Sequence, residues 1–201
     1  MAGDRDNYKS VSSSLTKLIL NNISIQLMVT IGAVVLYIIL RILAGTGIAN
    51  LVVTCIFVPA LLYAIYSNNW GTALKDKNLV QYGRLEENRY RGLISGLIGA
   101  IPVVVYTIFA IGIAQKQGVD SEAFAAYKIF TAPYNLFTDY LSTRAPILML
   151  LYGIFSPAAA ALGYHNGYKE YRIWDHILYE NGIKPRKDGR SGLPKARKPK
   201  T

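Results

Sequence analysis

Carboxylates, lysine and histidine are what the long apolar stretches of this chain lack. Four runs, Ile23 to Leu43, Ile48 to Tyr66, Leu93 to Ala114 and Pro146 to Tyr164, hold no interior Asp, Glu, Lys or His. An enzyme working at membrane depth needs such groups as nucleophile, acid, base or metal ligand. Their absence argues against catalysis, and equally against a proton- or ion-coupled pump, whose relays place carboxylates in the membrane. Histidine is scarce too: His165 and His176 stand eleven residues apart with no Cys or carboxylate at zinc-ligand spacing, so no metal is expected. No glycine-rich phosphate loop is present and no cofactor is implied. The single cysteine, Cys55, rules out an intrachain disulfide and reads as a small buried hydrophobe.

Apolar residues make up 52% of the 201 residues and charged ones only 17%, and the apolar residues gather into those four runs. About 20 apolar residues are what a helix needs to cross a hydrocarbon core of roughly 30 Å. None of the runs alternates with period two as a barrel strand does, so each is read as a helix. The first is too long and too far from the start for a cleaved signal peptide and is expected to remain in the mature protein. The expected fold is an all-α integral membrane protein with four transmembrane helices arranged as two antiparallel hairpins, residues 23–66 and 93–164.

Lysine and arginine set the expected orientation. The N-terminal segment 1–22 carries three, the segment 67–92 five and the tail beyond Tyr164 ten, against Arg41, Lys116, Lys128 and Arg144 elsewhere. Loops rich in Lys and Arg resist translocation, which predicts both termini in the cytoplasm of a cell whose cytoplasmic membrane holds the protein. Nearly all of the formal charge of +10 then lies on that side.

Ile56 to Asn68 (IFVPALLYAIYSN) returns as Ile154 to Asn166 (IFSPAAAALGYHN), with Ile, Phe, Pro, Ala, Tyr and Asn at matched positions. If the two proline-bearing helices correspond, the chain is a parallel tandem duplication of a hairpin entering from the cytoplasm, related by an axis along the membrane normal. Pro59, Pro102 and Pro157 each remove a backbone donor inside a helix and mark expected kinks. Ala44 to Gly47 has room only for a tight turn.

Small residues at four-residue spacing let helix backbones approach closely. Gly92, Ser95, Gly96, Gly99 and Ala100 in the third run, with Gly153, Ala159, Ala161 and Gly163 in the fourth, form the expected packing seam, internal to the bundle. Gln26 and Thr30 share a face of the first helix, as packing glue or as part of a polar lining. Tyr37, Tyr63, Tyr106, Thr107, Tyr152 and Ser156 complete the lining that a path for a neutral solute would use. Arg41 is expected to snorkel to the headgroups at the outer end of its helix.

The segment 67–92 mixes charges with apolar residues and suits one or two short amphipathic helices resting on the inner leaflet, broken near Gly83. Between residues 115 and 145, Ser121 followed by Glu122 marks a helix start and Pro133 its end. The aromatics there (Phe124, Tyr127, Phe130, Tyr134, Phe137, Tyr140) are expected at the outer interface. Residues 165–183 read as an interfacial amphipathic helix. Residues 184–201 form a basic tail without a core, disordered in isolation. Its Lys184, Arg186, Lys187, Arg190, Lys195, Arg197, Lys198 and Lys200 suit anionic lipid of the inner leaflet, or, as an alternative, RNA on a ribosome.

The functional expectation is a non-catalytic accessory or assembly subunit of a membrane complex, meeting another membrane protein or further copies of itself. The alternative is a small transporter or channel subunit for a neutral solute, oligomeric because four helices are few to enclose a path. A packed interior distinguishes the first from the second, which needs a polar cavity near Pro59 and Pro157.

Overall fold

The structure is a computed structural model that describes residues 15–83, 85–119 and 121–171. Among the described residues all regular structure is helical, and four helices are long and apolar enough to cross a membrane. In order these are α1 (Leu15–Ala44), α2 (Thr46–Gln81), α3 (Arg91–Gln117) and, after two short helices, the final span Pro146–Tyr168. That last span opens as a 3-10 turn, Pro146–Leu151, and continues as α6 (Tyr152–Tyr168). Between it and α3 lie α4 (Glu122–Phe130), a 3-10 turn at Ala132–Tyr134, and α5 (Asn135–Arg144).

The ends of these elements follow from local chemistry. Gly45 alone separates α1 from α2 at φ 83°, in the positive-φ region that glycine adopts without penalty, which makes so abrupt a reversal feasible. Ser121 caps α4, its hydroxyl accepting from the Phe124 N–H at 3.3 Å. Pro146 occupies the first turn of its helix, where no N–H is needed. The helices run unbroken through Pro59, Pro102 and Pro157, of which the first two face outward and only Pro157 is buried.

Residues 67–81 depart from the sequence expectation. They are not separate amphipathic helices but the continuation of α2, whose 36 residues span about 54 Å at the helical rise. No proline interrupts them, and Asn69, Ala73 and Asp76 carry a buried face onward. The break falls where expected, at Gly83 with φ 66°.

Of α1, only Leu18, Asn22 and Ala33 are buried, one narrow stripe on a helix otherwise covered in exposed Leu, Ile, Val and Met. Just 6% of its most apolar stretch is buried, against 44% for the final span. Such an apolar surface is stable in lipid and costly in water. Cys55 also faces outward and is no part of the core.

The helices approach one another at small residues. A Cβ added at Gly96 would stand 2.6 Å from the Cα of Pro157, and one at Gly92 would collide with Tyr164. On the other side of α6, Gly163 lies against the Tyr66 backbone and Gly167 against that of Trp70. The extensive α2–α6 and α3–α6 interfaces therefore both rest on missing side chains.

The aromatic segment splits against expectation. Phe130, Phe137 and Tyr140 are exposed, but Phe124, Tyr127 and Tyr134 are buried in the core with Leu61, Ile65, Met149 and Tyr152. Tyr134 stacks on Tyr152 with ring centroids 4.7 Å apart. The α4–α5 segment folds back over this end of the bundle, and its rings fill volume that an interfacial segment would leave to lipid.

The Gly163→Ala variant is expected to lose about 1–3 kcal/mol of stability through overpacking against a backbone that cannot step aside. Gly112→Ala, where an added methyl meets nothing within 4 Å, is expected to lose none. Reversible unfolding in mixed detergent micelles measures both, and equal stability would contradict so close a crossing.

Candidate functional site

Three groups of polar side chains interrupt the apolar interior. The most extensive joins all four long helices near the Arg91 end. Asn22 of α1 donates from Nδ2 to Ser95 Oγ (3.3 Å), while its Oδ1 accepts from Asn68 and Asn69 of α2, both at 3.0 Å. Asn69 also donates to the Ile65 carbonyl (2.8 Å), and Ser95 Oγ lies 3.2 Å from Asn69 Oδ1. One turn along α1, Gln26 Nε2 donates to Ser156 Oγ of α6 (2.9 Å) and to the Gly99 carbonyl of α3 (3.2 Å). Asn22, Asn69 and Ser95 are fully buried. Such groups are stable in an apolar interior only when they satisfy one another, and here they do.

A buried ion pair lies beyond this network. Asp76 Oδ2 receives Arg91 Nη1 at 2.9 Å and the Tyr164 hydroxyl at 3.0 Å, tying α2, α3 and α6 together. Asp76 is 1% exposed, and its Oδ1 has no partner among the described residues. A cavity of about 250 Å³ beside the pair is lined by Arg91, Tyr164, Tyr168, Glu86 and Asn88.

The third group occupies the opposite end of the bundle. Asn50 Nδ2 donates to Asp139 Oδ2, and Lys128 Nζ lies 2.7 Å from Asp139 Oδ1 as an ion pair. Thr54 Oγ1 accepts from the Leu136 N–H at 3.3 Å, and Thr138 and Tyr152 share a 3.2 Å hydrogen bond. These bonds fasten the α4–α5 segment to α2 and α6. Burial pushes the Tyr127 and Tyr134 phenols upward from their usual range, so both stay neutral and act as packing groups. Beside this group is a cavity of about 800 Å³ lined by Tyr37, Arg41, Asn50, Glu122, Lys128 and Asp139, among others.

The residues singled out in the sequence separate on this framework. Gln26 and Ser156 meet directly, and Thr107 and Tyr152 are buried with hydrogen bonds to the α4–α5 segment or its neighbourhood. Thr30 and Tyr37 are half-buried. Tyr63 and Tyr106 are 53% and 45% exposed, and the Tyr106 ring packs on Phe130 of α4 with centroids 4.7 Å apart. The seam residues Gly92, Ser95, Gly96, Gly99 and Ala100 are all buried, as are Gly153, Ala159 and Gly163, while Ala161 is half-buried. His165 is exposed. Among the described residues no three His, Cys, Asp or Glu side chains come together as a metal site requires. His176 and the basic residues from Lys184 to Lys200 lie outside the described residues.

Sequence reasoning passed over Asn22, Asn68, Asn69, Asp76 and Arg91. Asn22 was legible: it precedes Gln26 by four residues and extends the same polar stripe. Asp76 was not, because its burial depends on α2 continuing far past its apolar run. Comparisons with protein-family models, curated proteins and solved structures gave no match.

Asn22→Leu leaves the amides of Asn68 and Asn69 and the Ser95 hydroxyl short of a partner, with an expected loss of about 1–3 kcal/mol. Asp76→Ala removes the carboxylate from a buried guanidinium and is expected to cost about 3–5 kcal/mol, more than the Asp76→Leu/Arg91→Leu double variant. Unfolding in mixed micelles checks both, and additive effects of Asp76 and Arg91 substitutions would show that the two are not coupled.

Proposed function

We propose that this chain is a non-catalytic, multi-pass membrane protein serving as an accessory or assembly subunit of a membrane complex. The observation that carries the reading is the closed interior. At the depth where a solute path must pass, Asn22, Gln26, Asn69, Ser95 and Ser156 hydrogen-bond to one another, and Gly96 packs on Pro157 without intervening space. Neither Pro59 nor Pro157 lines any of the cavities described above. Groups that satisfy each other are poor ligands for a passing solute. They lock the helices into a fixed shape, which is what a scaffold for partners requires.

The proposed arrangement is two antiparallel hairpins with both termini cytoplasmic in a cell membrane. Contacts between α1 and α2 pair Asn22 with Asn69 and Gly32 with Phe57, descending along one helix while rising along the other. Those between α3 and α6 do the same, Gly92 with Tyr164 and Gly153 with Val104. Lys and Arg crowd the segments 1–22 and 67–92 and the sequence beyond Tyr164, which supports a cytoplasmic placement. The basic tail suits the anionic inner leaflet in this orientation.

A transporter or channel subunit is the second reading. One observation favours it, the cavity of about 800 Å³ at the Arg41 end, which is large enough for a small solute. Its lining is charged, which suits a neutral solute poorly.

Purification of the full chain in mild detergent, with mass determination, separates the readings. The accessory reading expects a partner at fixed stoichiometry with the 22.2 kDa chain. A lone monomer would overturn it, and a homo-oligomer with a central opening would favour transport. Fusions of a fluorescent protein and of a periplasmic reporter to each terminus test the orientation; activity of the periplasmic reporter at either end contradicts it.

A further inference from the structure

We infer that the cavity at the Arg41 end is a binding site for the headgroup of a zwitterionic phospholipid bearing a primary ammonium. The cavity, about 800 Å³, lies where α1 ends and α2 begins, roofed by α4 and the start of α5. Its walls are of two kinds. Val34, Ile38, Ala125, Ala126 and Ile129 are apolar, whereas Arg41, Glu122, Lys128 and Asp139 bring charge. An aqueous solute has no use for the first set and a purely apolar ligand none for the second.

The charges decide the class of headgroup. Lys128 and Asp139 neutralise each other at 2.7 Å. Arg41 and Glu122 join no ion pair among the described residues. The cavity therefore offers one uncommitted guanidinium and one uncommitted carboxylate. A guanidinium recognises a phosphodiester with paired N–H donors, and a carboxylate accepts from a primary ammonium. An anionic headgroup without an amine satisfies Arg41 and meets Glu122 as a like charge.

A second observation points to a ligand with N–H or O–H donors. Asn50 lines the cavity, is 6% exposed, and spends its amide N–H on Asp139, while its Oδ1 has no partner among the described residues. A buried acceptor left unbonded keeps its full desolvation penalty. An ammonium entering here supplies the missing donor directly or through its water.

The location fits a lipid over a free solute. Arg41 lies in the last turn of an apolar helix that presents Ile38, Ile39, Ile42 and Leu43 as an exposed apolar surface suited to acyl chains. A headgroup held at Arg41 leaves its chains along that surface, adding apolar contact that a soluble headgroup lacks.

Native mass spectrometry of the full-length protein tests the site, using micelles doped with phosphatidylethanolamine or, separately, phosphatidylglycerol. The expected result is one phosphatidylethanolamine retained per chain, at least about tenfold in preference to phosphatidylglycerol. Arg41→Ala and Glu122→Gln each reduce retention at least about tenfold, and both side chains are exposed, so the fold should survive. Ala126→Trp fills the cavity without touching its charges and is expected to abolish the adduct. Lys116→Ala, outside the cavity lining, is expected to leave it intact. Equal retention of both lipids, or retention unchanged in Arg41→Ala and Ala126→Trp, would overturn the site. Free glycerophosphoethanolamine binding as tightly as the lipid by titration calorimetry would overturn the assignment to a lipid.

Discussion

A polar side chain inside hydrocarbon must find a partner, and this bundle is arranged around meeting that demand. Asn22 shows how. It is fully buried on the least buried of the long helices, and its amide reaches Ser95 on one side and Asn68 and Asn69 on the other. Van der Waals contact with lipid tails is nearly as good as contact with leucine, so greasy surfaces alone give α1 little reason to stay in place. The amide network supplies the reason, and it fixes rotation and depth as well as association. Gln26, one turn on, repeats the fastening through Ser156 and the Gly99 carbonyl.

Such bonds reach across helices only if backbones come close, which is where the glycines enter. Gly92, Gly96 and Gly99 leave α3 without bulk on the side that meets α6 and α1. Gly163 and Gly167 do the same for α6 where it meets α2. The Arg91–Asp76–Tyr164 group sits at the foot of these crossings and depends on them: a wider α3–α6 spacing would pull the Tyr164 hydroxyl from the carboxylate it now approaches to 3.0 Å. Packing and polar pairing are thus one constraint seen from two sides.

Much of this was legible in the chain because both parts leave periodic marks. Four apolar runs, charged only at Arg41 near the end of the first, announce four long helices, and glycine, serine and alanine at four-residue intervals announce α3 as a packing surface. Gln26 and Ser156 are conspicuous as polar residues in apolar runs. What could not be read was geometry set at a distance. Hydropathy ends the second run at Tyr66, yet α2 continues to Gln81 because α6 and Arg91 give its polar extension something to pack on. Phe124, Tyr127 and Tyr134 have the composition of an interfacial segment, and only the hollow above Tyr152 and Met149 makes them core. Tyr63 and Tyr106 were ambiguous for the opposite reason: a tyrosine in an apolar run is as compatible with an outward face as with an inward one.

The internal repeat gains a physical reading from the same contacts. Tyr66 is matched in sequence by Tyr164 and sits against Gly163, while Trp70 is matched by Tyr168 and sits against Gly167. The two helices thus meet at positions one residue out of register with the sequence match. The prolines break the correspondence: Pro157 is buried against Gly96, whereas Pro59 faces outward. The difference follows from their neighbours. α6 packs its proline face on α3, which has a glycine to receive it, while α2 turns its proline away from α1 and meets that helix through Val53, Phe57 and the two asparagines instead. The matched residues therefore serve different contacts in the two helices: Phe57 lies against Gly32 of α1, whereas Phe155 stacks on Tyr134.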